Sequence, residues 1–406
     1  MQARGRVAFH AMACICIGLT LRPCAAHAKD VTGSVTIPMQ LELDRPYIDV
    51  MLTGPGGQQV KAHGYVDTGG GAIILSSKLA DRLGLKATGK AERDGGILLA
   101  PTTVPTLSVS GNILKLVDAH AYISTGEPRF LRHTDAEMEL PGRYLRHYIV
   151  VFDYPAHTFT LADPDSYKPD GTPVKTTIGG GMPAVQVSVA GKSYDFLLDT
   201  GGQYCMISTA NLGAWRKQHP VWPHVDGTYG PANMQIGQFE AKLYMQRIGA
   251  LQWGPFRIES VGAVSRPPGP YEKMMSGIIG TPVIGSIGGN VLSHFKVTMD
   301  YPTQTVYLDG PAITQDAPLE MVGVMLEPSA DGGYKIAGTA AGVHDIQVGD
   351  RLLEIDGKET ARESFSSVVE QLSGSPGDRR TLVLDRAGAR VTVHAAVQTV
   401  LPGVAR

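Results

Sequence analysis

Cysteine is scarce in this chain of 406 residues, and most of it lies at one end. Three of the four cysteines fall within residues 1–28, so Cys205 is the only one in the remainder. One cysteine cannot form an intrachain disulfide. It also excludes zinc and redox sites that are built from cysteine pairs.

Charged residues are also few, and the chain has no excess of positive charge. They make up 18% of the residues, against 43% hydrophobic residues, and the formal net charge is −2. Loss of residues 1–28, which carry three arginines and no acid, would leave −5. A mildly acidic chain lacks the basic surface that binds nucleic acid, so no nucleic-acid partner is expected.

Long apolar runs are missing after the N-terminus. The one such run, residues 7–21, follows Arg4 and Arg6 and precedes the small residues of Ala26-His27-Ala28, which suit a cleavage site. It is shorter than the roughly 20 apolar residues that a spanning helix needs. We therefore predict a signal peptide over residues 1–28, a periplasmic or secreted location, and no stable membrane anchor after cleavage.

An internal repeat occupies the body of the chain. Residues 142–161 read GRYLRHYIVVFDYPAHTFTL, and residues 289–308 read GNVLSHFKVTMDYPTQTVYL. Aligning their first glycines superimposes Asp153-Tyr154-Pro155 on Asp300-Tyr301-Pro302. Each copy has the pattern of a strand, a Tyr-Pro turn and a second strand.

The repeat has an upstream half that contains Asp-Thr-Gly. Residues 65–70 read YVDTGG, and residues 197–202 read LLDTGG. Many short Val, Ile, Leu and Thr runs separate the 49 glycines and 27 prolines of the chain. This pattern predicts a mainly β fold with two duplicated lobes, residues 36–165 and 178–310.

The two Asp-Thr-Gly loops predict one carboxylate pair. An approximate two-fold axis between the lobes would bring Asp67 and Asp199 together. Two close carboxyls share a proton, so that one can activate water while the other protonates a scissile carbonyl oxygen. The threonine hydroxyls could bridge the lobes, and glycine lets backbone N–H groups approach the carboxyls. The expected supporting residues are Thr68, Gly69, Thr200 and Gly201.

At these loops the sequence resembles the retropepsin-like and pepsin-like aspartic proteases, most closely the bacterial exported members with a C-terminal PDZ domain. The resemblance covers residues 36–310. It implies an endopeptidase that hydrolyses polypeptide substrates with no cofactor and no metal. The family has Ser, Thr or Ala after Asp-Thr-Gly, where this chain has Gly70 and Gly202, so no hydroxyl is expected there.

The family also has an apolar-apolar-Gly segment that braces each loop from below. In the second lobe, residues 277–280 or residues 286–288 could be that brace. In the first lobe the aligned stretch is residues 139–142, a poorer match because it contains Glu and Pro.

A Tyr-Gly pair on a flap can position substrate in this family. Tyr229 and Gly230 lie in a loop rich in Gly and Pro, about where a flap of the second lobe could begin. An ordinary loop aromatic is the simpler interpretation. In the first lobe, residues 95–98 form a flap-like hairpin pattern.

The pattern changes from about residue 319. Residues 349–357 read GDRLLEIDG, and Ser364 precedes a helical pattern. This part resembles a bacterial PDZ domain over residues 319–400. The resemblance implies binding of extended peptides, including C-termini, as an added strand. It places the carboxylate-binding loop at Val322, Gly323 and Val324. A PDZ fold that only packs on the lobes is the alternative.

The predicted function is an exported aspartic endopeptidase whose paired aspartates activate water, with the PDZ domain selecting polypeptides. A catalytically degenerate peptide-binding protein of the same fold is the alternative, which Gly70 and Gly202 favour. Pairing of lobes between two chains is disfavoured, because one chain already supplies two loops.

Overall fold

The computed structural model describes residues 29–30, 33–94, 97–124, 136–234, 242–267, 269–329 and 332–405, and this chain is mainly β. The predicted signal peptide and residues 95–96 of the predicted first-lobe hairpin lie outside the described residues. Within them, no helix combines the length and apolarity required to cross a bilayer.

The strands up to residue 162 are, in chain order, β1 (Lys29–Asp30), β2 (Ser34–Pro38), β3 (Gln40–Glu42), β4 (Arg45–Thr53), β5 (Gln59–Asp67), β6 (Ile73–Ser76), β7 (Glu92–Asp94), β8 (Ile97–Thr102), β9 (Thr106–Val109), β10 (Asn112–Ile113), β11 (Ala121–Ser124), β12 (Met138–Pro141), β13 (Ile149–Asp153) and β14 (Thr158–Ala162). Those of the middle part are β15 (Thr172–Val174), β16 (Thr176–Gly179), β17 (Met182–Val189), β18 (Lys192–Leu198), β19 (Cys205–Ser208), β20 (His224–Asp226), β21 (Tyr244–Trp253), β22 (Phe256–Arg266), β23 (Val283–Ile287), β24 (Lys296–Asp300), β25 (Thr305–Asp309) and β26 (Ile313–Gln315). The C-terminal part contains β27 (Leu319–Met321), β28 (Val324–Pro328), β29 (Tyr334–Thr339), β30 (Arg351–Ile355), β31 (Lys358–Glu359), β32 (Arg379–Arg386), β33 (Ala389–Ala396) and β34 (Gln398–Leu401).

The helices are short and lie between strands. They are α1 (Ser77–Arg82), α2 (Thr209–Gln218), α3 (Ser276–Ile279), α4 (Gly289–Leu292) and α5 (Phe365–Leu372), with 3-10 turns at Gly142–Leu145 and Gly230–Ala232 and a π turn at Pro270–Met275. Ser76, Ser208 and Ser364 begin α1, α2 and α5, because each hydroxyl accepts a backbone N–H three residues later.

Two sheets repeat one order of strands. The first sheet contains β4–β5–β12–β6–β11, and the second contains β17–β18–β23–β19–β22. In both, the first two strands are antiparallel, the third runs parallel to the second, the fourth is antiparallel to the third, and the fifth is parallel to the fourth. Asp67 ends β5 and Asp199 directly follows β18, so the two aspartates occupy equivalent places.

A third sheet joins the two copies of the Asp-Tyr-Pro repeat. Its order is β15–β25–β24–β13–β14–β2, and the central strands β13 and β24 pair antiparallel, with Val151 opposite Thr298. Both strands are buried at nearly every position because both faces of the sheet are covered. The repeated aspartates shape the turns, since Asp153 and Asp300 each accept a backbone N–H three residues later at 3.0 Å.

The C-terminal part forms its own sheet, β28–β29–β30–β32–β33, with α5 packed beside it. Its apolar residues do not form a separate core. They share one buried cluster with the second sheet, which includes Leu197, Met245, Met321, Leu326 and Val369. This part of the chain is therefore packed firmly on the second sheet.

Candidate active site

The two Asp-Thr-Gly loops meet with almost no space between them. A Cβ placed on Gly201 would lie 2.3 Å from the Cγ of Asp67, and one on Gly69 would lie 3.0 Å from the Oδ1 of Asp199. Each carboxyl is therefore packed against the backbone of the opposite loop, where a larger residue than glycine would displace it. The two carboxyls are close enough for each to shift the pKa of the other.

Thr68 and Thr200 lock the loops together by a reciprocal exchange. The N–H of Thr68 donates to the Thr200 hydroxyl at 3.1 Å, and the N–H of Thr200 donates to the Thr68 hydroxyl at 3.0 Å. Each hydroxyl also donates to a carbonyl of the other strand, at 2.5 Å to Leu198 and 2.6 Å to Val66. All four bonds are buried, so both loops depend on both threonines.

We predict that Thr68→Val will lower the free energy of unfolding by about 1–3 kcal/mol. The substitution leaves the N–H of Thr200 and the carbonyl of Leu198 buried without a partner. Thr68→Ser, which retains the hydroxyl, is the matched control. Urea denaturation measures both, and equal stability of the two variants would contradict the proposed role of the exchange.

Backbone N–H groups hold one oxygen of each carboxyl. Gly69 donates to Oδ1 of Asp67 at 2.7 Å, and Gly202 donates to Oδ1 of Asp199 at 3.0 Å. Hydrogen bonds of this kind favour the ionised form of a carboxyl. They also fix the two carboxyls in orientation.

Equivalent strands brace the two loops. β12 runs parallel to β5, with Pro141 opposite Asp67, so the Glu and Pro of this stretch do not prevent it from bracing the first loop. In the second sheet the brace is β23, because the carbonyl of Ile287 accepts the N–H of Asp199 at 3.0 Å. Of the two candidates for that brace, residues 286–288 therefore fit, whereas residues 277–280 lie on α3 and its end.

Glu139 is a residue of the candidate site that the sequence did not indicate. Its side chain is buried, with 7% of the residue exposed, and its carboxyl is close enough to Asp67 for the charge of Asp67 to raise its pKa. The hydroxyl of Tyr65 donates to its Oε2 at 2.8 Å. A Cβ on Gly70 would lie 2.4 Å from its Oε1. Glu139 therefore fills the space in which a side chain after Asp-Thr-Gly would lie.

The second loop has a hydroxyl in the equivalent place. Ser286 is opposite Leu197 in the β18–β23 pairing, as Glu139 is opposite Tyr65 in the β5–β12 pairing. The Ser286 hydroxyl lies 3.3 Å from the Tyr271 hydroxyl, and its hydrogen-bonding capacity lowers the pKa of Asp199. Gly202 itself offers Asp199 no hydroxyl, and the bracing strand brings one, that of Ser286, to this side of the loop instead. The alignment of residues 142–161 with residues 289–308, extended three residues upstream, pairs Glu139 with Ser286. This alignment could have identified both residues from the sequence.

Arg45 brings a positive charge to the site from the start of β4. It is buried, and its Nε donates to the carbonyl of Gly201 at 2.7 Å. Its guanidinium lies 4.8 Å from the centre of the Tyr65 ring, a cation–π contact. Its charge lowers the pKa of both aspartates relative to burial alone.

Burial dominates the electrostatics of the three carboxyls. It raises the pKa of Asp67, and it raises the pKa of Asp199 to about 7, to which the charge of Asp67 also contributes. Burial and then the charge of Asp67 raise the pKa of Glu139 well above its usual range. Because three carboxyls surround one guanidinium, protons are retained in this cluster to neutral pH.

Tyr229 and Gly230, the predicted flap pair, lie in a buried contact with the C-terminal part. Tyr229 is 2% exposed, and a Cβ on Gly230 would lie 3.2 Å from Leu319 and Met321. Asn233, which follows them, donates to the carbonyl of Leu326 on β28 at 2.7 Å. A packed tyrosine differs from the exposed hairpin tip that a flap requires, so this position does not favour a flap role.

The predicted carboxylate-binding loop precedes β28. The N–H of Val322 donates to the carbonyl of Leu372 at 2.8 Å, and the N–H of Val324 donates to the carbonyl of Val322 at 2.7 Å. These two donors are thus engaged within the C-terminal part. Gly323 is also enclosed, since a Cβ there would lie 2.5 Å from Gln398.

A cleft lies apart from the two aspartates. It has a volume of about 570 Å³ and lies on the second sheet, where His219, Trp222, Arg257 and Glu259 contribute to its lining. Its lining includes neither Asp67 nor Asp199, so the cleft and the paired carboxyls are in different parts of the molecule. The paired carboxyls make the two Asp-Thr-Gly loops the candidate site. In the described ranges, no group of three or more His, Cys, Asp and Glu is arranged to hold a metal ion.

Comparison with known proteins gives little. No protein-family model matches the chain. No curated protein matches it. Among solved structures it is similar to a photosystem II D1 C-terminal processing protease, at 18% identity over 21% of this chain and 25% of that chain, with a TM-score of 0.20. The chain thus spans about a quarter of that protein, and so weak a likeness carries no argument.

Proposed function

We propose that this chain is an exported aspartic endopeptidase. One observation carries the proposal: Asp67 and Asp199 occupy equivalent places in two sheets of the same strand order, and their loops interlock through reciprocal threonine bonds. A turn that merely ended a strand would need neither the second copy nor the carboxyl–carboxyl contact.

The proposal includes a finer description of the fold. Residues 36–165 and 178–310 are two duplicated retropepsin-like lobes, and the repeated strand order supports this. Residues 319–400 are a PDZ domain, supported by the edge strand β28 beside α5. Residues 1–28 are a signal peptide that directs the protein to the periplasm or the exterior.

The chemistry is general acid–base attack by water. The ionised carboxyl takes a proton from water as the water oxygen attacks the scissile carbonyl carbon, and the protonated carboxyl gives its proton to the carbonyl oxygen. The resulting tetrahedral diol then collapses. The carboxyl that took the first proton gives it to the leaving nitrogen as the C–N bond breaks. The other carboxyl regains its proton from a hydroxyl, so no covalent intermediate forms.

A peptide-binding protein with an inactive dyad is the second candidate. Glu139 favours it, because a third buried carboxyl beside Asp67 adds a titratable group that the acid–base cycle does not require. In this alternative the interlocked loops are a structural relic, and polypeptides bind without being cut.

The test is hydrolysis by the purified chain from residue 29 onward. We expect it to cut a denatured protein between acidic and neutral pH, and a statine peptide that mimics the tetrahedral intermediate to block cutting. Sequencing of the fragments identifies the bonds that are cut. Binding of the statine peptide without any cleavage across this pH range would favour the peptide-binding candidate instead.

A further inference from the structure

The space beside Gly70 distinguishes this site from a symmetric one. The bracing strands present Glu139 to Asp67 and Ser286 to Asp199 from equivalent positions. A carboxylic acid and a hydroxyl have different reach and acidity, so the two aspartates have different partners. The interlocked loops around them are otherwise alike.

We propose that Glu139 is a positioning residue of the dyad: as a neutral acid it donates a hydrogen bond to Asp67 and makes Asp67 the ionised base, which leaves Asp199 as the proton donor. This inference rests on the proposed endopeptidase function. It assigns a separate role to each aspartate, which the loops alone do not do.

The hydrogen bonds around Glu139 fit the neutral form. Tyr65 is a donor to Oε2, so that oxygen acts as the acceptor and Oε1 is left beside Gly70 and the Asp67 side chain. A proton on Oε1 completes a chain from Tyr65 through Glu139 to Asp67. Two ionised carboxylates beside Gly70 could not hydrogen-bond to each other, since neither would be a donor.

The charges that face Glu139 fit the same assignment. The titratable and charged groups around Glu139 are Asp67 and Tyr65 on β5, Arg45 on β4, Tyr144 on the adjacent 3-10 turn and Asp199 beyond Asp67. With both tyrosines, Glu139 and Asp199 neutral, the charge of ionised Asp67 balances that of Arg45. A buried cluster is least costly when its charges are paired in this way.

The asymmetry also explains Gly70. A serine at position 70 would place its Cβ 2.4 Å from Glu139. A hydroxyl on the loop and a carboxylic acid on the bracing strand therefore cannot both occupy this space. Removing Glu139 should make room for the hydroxyl. This reciprocal relation can be tested without knowing the natural substrate.

The first experiment compares Glu139→Gln with Glu139→Leu. Glutamine keeps a neutral donor and an acceptor, so we expect kcat to fall by less than about 5-fold, with little change in the pH profile. Leucine removes the donor. We expect kcat to fall roughly 10- to 100-fold and the acidic limb of the pH profile to move upward by about one unit. A larger loss in Glu139→Gln than in Glu139→Leu would overturn the proposal.

The second experiment measures protonation and fit without using activity. Infrared spectra at neutral pH should show a buried protonated carboxyl that disappears in Glu139→Gln, and an ionised Glu139 would refute the neutral form. Gly70→Ser should lower the melting temperature of the wild type but raise that of Glu139→Ala. The same sign in both backgrounds would contradict mutual exclusion. Success here with no hydrolysis in any variant would reject the endopeptidase proposal alone.

Discussion

Asp67→Asn and Asp199→Asn are each expected to lower kcat by at least about 1,000-fold on any polypeptide that the wild type cuts. The reaction needs one carboxyl to accept a proton from water and another to supply one, and an amide does neither. The double variant should be little worse than either single variant, because the two carboxyls act as one unit. Cleavage of a denatured protein, followed over time, measures all three variants. Loss of only a few-fold in Asp199→Asn would reject the two-carboxyl mechanism.

The control for this experiment is the free energy of unfolding of the variant. Asp199→Asn is expected to lose activity but not stability. The pKa of Asp199 rises from 3.8 in the unfolded chain to about 7 when folded. Stability from this carboxyl is therefore present below the unfolded pKa and lost as pH rises towards and through 7. Asparagine stays neutral. Asp199→Asn should be at least as stable as the wild type above pH 7, and that advantage should vanish in acid. Calorimetry across pH separates lost chemistry from lost folding.

Arg247→Met is expected to lower the free energy of unfolding by about 3–5 kcal/mol. Arg247 on β21 is completely buried, and it lies 3.0 Å from Asp316, which is 7% exposed. It also donates to the carbonyls of Ser260, Ala317 and Leu401, which belong to β22, the segment before β27, and β34. Its removal leaves a buried carboxylate and several buried carbonyls without this donor.

The matched control is Arg257→Met on the neighbouring strand. That side chain is 48% exposed and pairs with Glu259 at 3.1 Å, an exposed ion pair worth less than about 1 kcal/mol. Urea denaturation of both variants at neutral pH measures the difference. Equal losses would show that Arg247 does not join the second sheet to the C-terminal part as described.

The sequence allowed the interlocked loops to be anticipated because their information is local. Asp-Thr-Gly after an apolar strand appears twice, and one offset aligns the neighbouring residues. The structure brings Asp67 and Asp199 together, and Thr68 with Thr200. The sequence also predicts a strand, a turn and a second strand around each Asp-Tyr-Pro. It does not predict that β13 and β24 pair in one sheet.

The rest of the site depends on contacts between distant parts of the chain. Arg45 reaches Gly201, which lies 156 residues further along, and no local pattern marks that contact. Glu139 was overlooked because a brace was expected to be apolar, whereas here the backbone pairing of β12 supplies the support. Tyr229 was interpreted from the glycines and prolines around it. Such composition predicts a loop but not the surface on which the loop packs.

If the C-terminal part binds an extended peptide beside β28, as proposed, its contact with residues 228–233 makes this segment an intramolecular competitor. Asn233 occupies a carbonyl of edge strand β28, and Gly230 lies near Val369 of α5, so the segment touches both walls of the groove in which a PDZ ligand would add a strand. A segment on the same chain competes intramolecularly, so its effect does not depend on the concentration of the protein. A free peptide must displace it, and its apparent affinity is reduced by the fraction of molecules in which the segment is seated.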